Sequence, residues 1–120
     1  MTKISVVVCV YNEEENIKPL IEKITTSLKG PDYEIIYVDD GSTDKTVAEI
    51  LSTNHSGLTL ISLRKNYGQS SALAAGIRHA KGEYIVLLDG DLQNDPSDIP
   101  MMLEKAEKEG WDMIAGYRKN

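Results

Sequence analysis

Four short apolar runs rich in β-branched residues, Ile4 to Val10, Glu34 to Val38, Leu58 to Leu63 and Tyr84 to Leu88, punctuate this chain. Continuous apolar character belongs to strands covered on both faces, hence to a parallel sheet between helical layers. Helical stripes fill the gaps: Ile17, Leu20, Ile21, Ile24 and Leu28; Val47, Ile50 and Leu51; Leu73, Gly76, Ile77 and Ala80; Ile99, Met102, Leu103 and Ala106. Asn16 is expected to cap the first helix, which leaves Pro19 harmless in the first turn, while Pro96 and Pro100 crowd the start of the fourth. Gly82 and Gly110 are expected to end helices, and Asp112 to Gly116 to add a fifth strand. The alternation predicts an α/β fold of three layers, αβα, with a mainly parallel sheet and right-handed crossovers.

Composition narrows the class. At 120 residues, 41% hydrophobic and 27% charged, the chain is expected to form a single domain over residues 1–120. No repeat, linker or low-complexity stretch divides it. A net charge of −6 without a Lys/Arg-rich run argues against nucleic-acid binding. The single Cys9 cannot pair within the chain, so nothing requires an oxidising compartment. No apolar stretch reaches the roughly eighteen residues of a membrane span, and no signal-peptide layout opens the sequence; the expectation is a cytoplasmic protein.

Ligands of open α/β sheets bind at the carboxyl ends of the strands. Here each strand-to-helix junction carries a polar cluster: Tyr11-Asn12-Glu13, Asp39 to Asp44, Arg64 to Gln69, and Asp89 to Gln93. Any one of them alone could be an ordinary capped loop. Four on one rim make a site. Asp89 and Asp91, two residues apart at a strand end with Gly90 between them, together with the neutral oxygen of Gln93, offer hard oxygen donors suited to Mg²⁺ or Mn²⁺ and not to zinc. Such an ion keeps positions open for substrate phosphates.

Asp39 and Asp40 are adjacent acids whose burial requires donors or a cation, and a ligand donor is one candidate: a base N–H or ribose hydroxyls. Ser42 or Thr43 is expected to cap the second helix, with Asp44 in its first turn. Arg64 and Lys65, ahead of Gly68 and the small residues that open a helix, can receive an anion, or form a solvated basic pair. Ala72, Ala74, Ala75 and Gly76 make that helix slim enough to approach the sheet closely. Tyr84, Trp111, Met101 and Met102 are expected to pack. The junction after the first strand has no Gly-x-Gly-x-x-Gly, and the chain has neither a P-loop nor a serine nucleophile elbow. What remains is a rim suited to a nucleoside diphosphate whose leaving phosphate a cation neutralises.

In order along nearly the whole chain, Val6 to Asn16, Asp39 to Asp44, Arg64 to Gln69 and Leu88 to Asn94 resemble the N-terminal half of family 2 glycosyltransferases with the Rossmann-like GT-A fold. Within that family the Arg64 to Gly68 segment and the Asp89-Gly90-Asp91-Leu92-Gln93 signature resemble the polyprenyl- or dolichyl-phosphate sugar transferases, including dolichol-phosphate mannose synthase. The resemblance implies inverting transfer from a UDP- or GDP-sugar to a lipid-phosphate or saccharide acceptor, in relatives that can lie at the cytoplasmic face of a membrane. It places Tyr11, Asn12, Glu13, Asp40, Gly41, Arg64, Lys65, Asn66, Gly68 and Gly90 around the nucleotide with Asp39 in support, and Asp89, Asp91 and Gln93 on a divalent metal. The family commonly has Ala where Gly90 stands. Its general base and acceptor site are expected beyond Asn120, so the chain is expected to be a truncated donor-binding half, weakly active or inactive alone and open to self-association along an uncovered sheet edge. The competing reading is a non-catalytic nucleotide-binding or interaction module; a sugar-nucleotide pyrophosphorylase would want a Gly-rich loop where residues 11–16 have no glycine.

Overall fold

Alternate residues of the first strand, β1 (Ile4–Val10), face opposite sides of one sheet and divide the core in two. The computed structural model describes residues 3–29, 32–91, 95–110 and 113–115. After β1 come α1 (Ile17–Ser27), β2 (Tyr33–Asp39), α2 (Thr46–Ser52), β3 (Leu58–Ser62), α3 (Gln69–His79), β4 (Tyr84–Asp89), a 3-10 turn (Pro96–Asp98), α4 (Ile99–Glu109) and β5 (Met113–Ala115). The strands are all parallel, in the order β3-β2-β1-β4-β5. Ile4, Val6, Val8 and Val10 pack with Ile17, Leu20, Ile21 and Ile24 of α1, Ile50 of α2 and Ile99, Leu103 and Ala106 of α4. Val7 and the half-buried Cys9 face the other way, into a smaller cluster with Ile36, Val38, Ala72 and Ala75 beneath α3.

The three-layer α/β expectation holds, with local corrections. β3 is an edge strand, half-buried with Thr59 and Ser62 exposed, so both-face coverage belongs to the strands inside it. α3 is slim, as its composition implies: a Cβ on Gly76 would come 2.4 Å from Val7 Cγ1. Its buried stripe is Ala72, Ala75 and Gly76, with Leu73, Ile77 and Ala80 half-buried at the flank, because the closest approach selects the smallest side chains. Leu51 and Met101 are exposed, 65% and 64%, and do not pack as expected. Ser42 and Thr43 do not cap α2; the helix begins at Thr46, whose N–H donates to Asp44 Oδ1 at 2.9 Å. Asn16 sits at the start of α1 but makes no cap bond, its amide donating back to Glu13 Oε2 at 2.7 Å. Gly110 ends α4 in the left-handed region, φ 75°. Gly82 ends no helix; a Cβ there would lie 2.7 Å from the Ser5 nitrogen, so close approach to β1 is what requires glycine. Trp111, Asp112 and Gly116 lie outside the described residues.

β1→α1→β2 and β4→α4→β5 step across the sheet in opposite directions, yet α1 and α4 pack on one face. The two connections therefore have opposite hands, unlike the uniformly right-handed crossovers expected. Burial of Ile99, Leu103 and Ala106 beside α1 decides the face.

The order of strands also fixes where a ligand belongs. From β1 the chain moves outward through β2 and β3, then returns to pair β4 with the opposite side of β1. The connections diverge between β1 and β4, and a crevice opens beyond their carboxyl ends. At the other end, the Glu34 carboxylate accepts from the Ser5 hydroxyl and, at 2.7 Å, from the Lys81 N–H, while Gly82 N–H donates to Ser5 Oγ at 2.8 Å. This network pins the entry of β4 to β1. Glu34→Ala is expected to cost about 1–3 kcal/mol by stranding those donors, seen as a lower urea midpoint with unchanged slope.

Candidate functional site

Asn12, Asp39 and Asp40 knit the rim together. Asn12, in the left-handed region at φ 53°, accepts through Oδ1 from the Thr43 N–H at 2.8 Å, and its own N–H donates to Ser42 Oγ at 2.9 Å. Asn tolerates that backbone better than most residues. The loop after β1 is thereby tied to the loop after β2. Asp40, 6% exposed, accepts from the Tyr67 N–H at 2.8 Å through Oδ1 and from the Gly68 N–H at 3.1 Å through Oδ2. Asp39, 2% exposed, takes the Ser42 N–H at 3.3 Å on each oxygen. Backbone donors of this chain therefore compensate the two adjacent buried acids. Gly41 is required by the same contact: at φ 77° a Cβ would lie 2.4 Å from the Lys65 carbonyl carbon.

A cleft of about 180 Å³ lies between the ends of β1 and β4. Cys9, Val10, Tyr11 and Glu13 form one wall, Asp89, Gly90 and Asp91 the other, and Asp40, Gln69 and Ala72 close it. Gly90 is pressed against β1: its N–H donates to the Cys9 carbonyl at 3.1 Å, and a Cβ would meet Val10 Cγ1 at 2.4 Å. Thus Tyr11, Glu13, Asp40, Asp89, Gly90 and Asp91 converge. Asn12, Asp39 and Gly41 support the rim from outside the cleft. Arg64, Lys65 and Asn66 are exposed and do not line it, and the Lys65 ammonium sits 5.3 Å from the Tyr67 ring centroid. Gln93 lies outside the described residues.

Cys9, Gln69 and Ala72 line the cleft without having been singled out for it. Cys9 looks like a core residue because its run is apolar, and only its position at the end of β1 hints at the cleft. Gln69 is the first residue of α3 and directs its amide to Asp89 Oδ1 at 2.7 Å.

Among the described residues the lining holds four carboxylates, Glu13, Asp40, Asp89 and Asp91, and neither Lys nor Arg. Its negative field is registered by the Cys9 thiol, pushed from an ordinary value near 9.0 up to about 12, by burial first and then by Asp89 and Asp40. Nearby, Asp44 is held below the carboxylate range: partial burial pushes it upward, but the hydrogen bonds from Thr46 prevail. Among the described residues no three His, Cys, Asp or Glu side chains form a ready metal cage. A two-carboxylate site still fits Mg²⁺ or Mn²⁺, which commonly take one or two protein carboxylates and complete the shell with water and phosphate oxygens.

The family model for glycosyl transferase family 2 matches residues 5–120. A mannosyltransferase from Pyrobaculum calidifontis, solved in complex with GDP-Man and Mn²⁺, shares 31% identity at a TM-score of 0.74 over 88% of this chain and 31% of its own. S. aureus TarS 1-349 in complex with UDP shares 25% identity at a TM-score of 0.77, over 91% of this chain and 33% of its own. The M. tuberculosis glucosyl-3-phosphoglycerate synthase shares 29% identity at a TM-score of 0.69, over 85% and 40%. This chain thus spans about a third of the length of the first two. No helix among the described residues is long and apolar enough to cross a membrane.

With its thiol protonated far above neutrality, Cys9 is expected to react with iodoacetamide at pH 8 on the order of a thousandfold more slowly than a free cysteine. Asp89→Asn, which removes a neighbouring negative charge, is expected to speed it. The protonated thiol's contribution to stability is intact below pH 9 and declines as pH rises toward 12. Alkylation at the free-thiol rate contradicts the buried, electronegative setting.

Proposed function

The chain belongs to glycosyl transferase family 2, and from that premise we propose that it is the donor-binding domain, residues 1–120, of an enzyme that transfers a sugar from a nucleotide-diphosphate sugar with inversion. One observation carries the reading. Among the described residues, a cleft at the switch point of the sheet is lined by four carboxylates and no basic side chain, a setting in which a cation offsets the repulsion a diphosphate meets. The mannosyltransferase neighbour, solved with GDP-Man and Mn²⁺, supports the same pairing of ligand and ion.

Each residue then has a task. Tyr11, 44% exposed at the cleft edge, offers a ring face to a nucleobase. Asp40 holds the loop after β3 with one bond on each oxygen, and a carboxylate has about four acceptor sites, which leaves capacity for a base N–H or a ribose hydroxyl. Glu13, on the same wall as Tyr11, is placed for the ribose. Asn12, Asp39 and Gly41 hold the two loops in register, and Gly68 supplies one of the N–H groups bound by Asp40. Arg64, Lys65 and Asn66, exposed outside the cleft, offer two cations and a polar side chain to the distal part of the donor or to an anionic acceptor. Asp89 and Asp91, with Gln93 from the same sequence signature, would hold Mg²⁺ or Mn²⁺. When bound, that ion neutralises charge on the diphosphate and favours its departure as a leaving group.

The Arg64 to Gly68 segment and the Asp89 to Gln93 signature favour a polyprenyl-phosphate acceptor of the dolichol-phosphate type, met at the cytoplasmic face of a membrane. Such an acceptor is already anionic and needs little help from a general base.

Calorimetric titration of this chain with UDP and with GDP, in Mn²⁺ and in EDTA, tests the reading. Binding of one nucleotide that requires the metal is expected. Asp91→Asn is expected to remove the metal-dependent part while changing stability by no more than about 0.5 kcal/mol, as for most substitutions away from packed cores. Equal affinity in Mn²⁺ and EDTA contradicts the metal assignment.

A further inference from the structure

The side chain of Asp89 leaves β4 at the point where β4 is fixed against β1, but a backbone position alone does not fix a carboxylate. Its χ1 and χ2 remain to be set by what it touches. Gln69 Nε2 donates to Asp89 Oδ1 at 2.7 Å across the cleft. Gln69 is the first residue of α3 and follows Gly68, whose φ of 104° turns the chain into the helix. That turn is itself held, because Asp40 binds the N–H groups of Tyr67 and Gly68 at 2.8 and 3.1 Å. One helical step further, Ala72 is fully buried against the sheet and lines the same cleft. The start of α3 is therefore clamped on both sides of Gln69, and its amide reaches Asp89 from a rigid platform.

Resting on the donor-site reading above, we infer that Gln69 is a positioning residue: it orients the Asp89 carboxylate toward the cation and couples that orientation, through the loop held by Asp40, to the nucleotide side of the cleft. The chemistry of the donor suits the task. An amide N–H fixes the carboxylate without cancelling its charge, whereas an ammonium at the same place would compete with the metal. Outer partners of this kind typically govern metal affinity about 10–100-fold.

The test compares wild type, Gln69→Ala, Gln69→Lys and Asp91→Asn by calorimetry with UDP or GDP in Mn²⁺ and in EDTA, with thermal unfolding of each. Gln69→Ala is expected to weaken metal-dependent nucleotide binding about 10–100-fold, with EDTA binding and melting temperature unchanged. Gln69→Lys is expected to lose the response to Mn²⁺ while retaining its fold, a signature that loss of packing would not give. If wild type responds to Mn²⁺, Asp91→Asn does not, and both Gln69 variants behave as wild type, the positioning role falls and the donor site stands. A lowered melting temperature with unaltered Mn²⁺ response makes Gln69 structural and also overturns the role. If wild type shows no metal response at all, the donor-site reading falls and this inference with it.

Discussion

The contact between Gly90 and the end of β1 is the constraint on which the cleft depends. With a Cβ at that position 2.4 Å from Val10 Cγ1, no other residue allows β4 to finish so close to β1 without a shift. Because the two strands pair in register from Ile4 with Tyr84 to Cys9 with Asp89, this closeness carries the first acid of the signature to the mouth of the switch point. The loosened backbone that a glycine implies in isolation is here offset by the Gly90 N–H bond to the Cys9 carbonyl. Glycine serves approach, not freedom.

A second theme is that the acids of the rim divide the work between architecture and ligand. Asp39 and Asp40 are buried, and their charge is met by N–H groups of Ser42, Tyr67 and Gly68. Asp89 and Asp91 are only half-buried and face a cleft with no basic lining among the described residues. Together with Asn12, the first pair assembles three loops into one rim; the second pair gives that rim its appetite for a cation. Gln69 links the two pairs, since the loop held by Asp40 delivers its amide to Asp89.

Much of this was legible from the residues. Apolar β-branched runs between helical stripes specified the layers, since continuous burial of a strand admits few other solutions, and the clusters after each strand located the rim. The convergence of Tyr11, Glu13, Asp40, Asp89 and Asp91 on one cleft follows from strand order, which local patterns do not contain. For the same reason Gln69 and Cys9 are not distinguishable as cleft residues from local pattern: their role depends on β1 and β4 being neighbours although 80 positions separate paired residues such as Cys9 and Asp89. Cap chemistry misled at Ser42, because its hydroxyl serves Asn12 in another loop. Leu51 misled too, since the short α2 covers an edge and leaves one flank of its stripe in water. The placement of α4 beside α1 was likewise beyond a rule of handedness, being decided by which apolar face offered burial.

On the donor-site reading, the switch-point cleft, and no other acidic patch, takes a cation together with a nucleotide. Paramagnetic broadening of amide resonances by substoichiometric Mn²⁺ in the presence of UDP or GDP measures that directly. Selective loss of signals from Cys9 to Tyr11, Gln69 to Ala72 and Asp89 to Asp91 is expected, with Lys81 and Gly82 at the opposite end of the sheet spared. Broadening centred instead on the groove between α1 and the 3-10 turn, lined by Glu22, Lys23 and Asp95, or spread without selectivity, would contradict it.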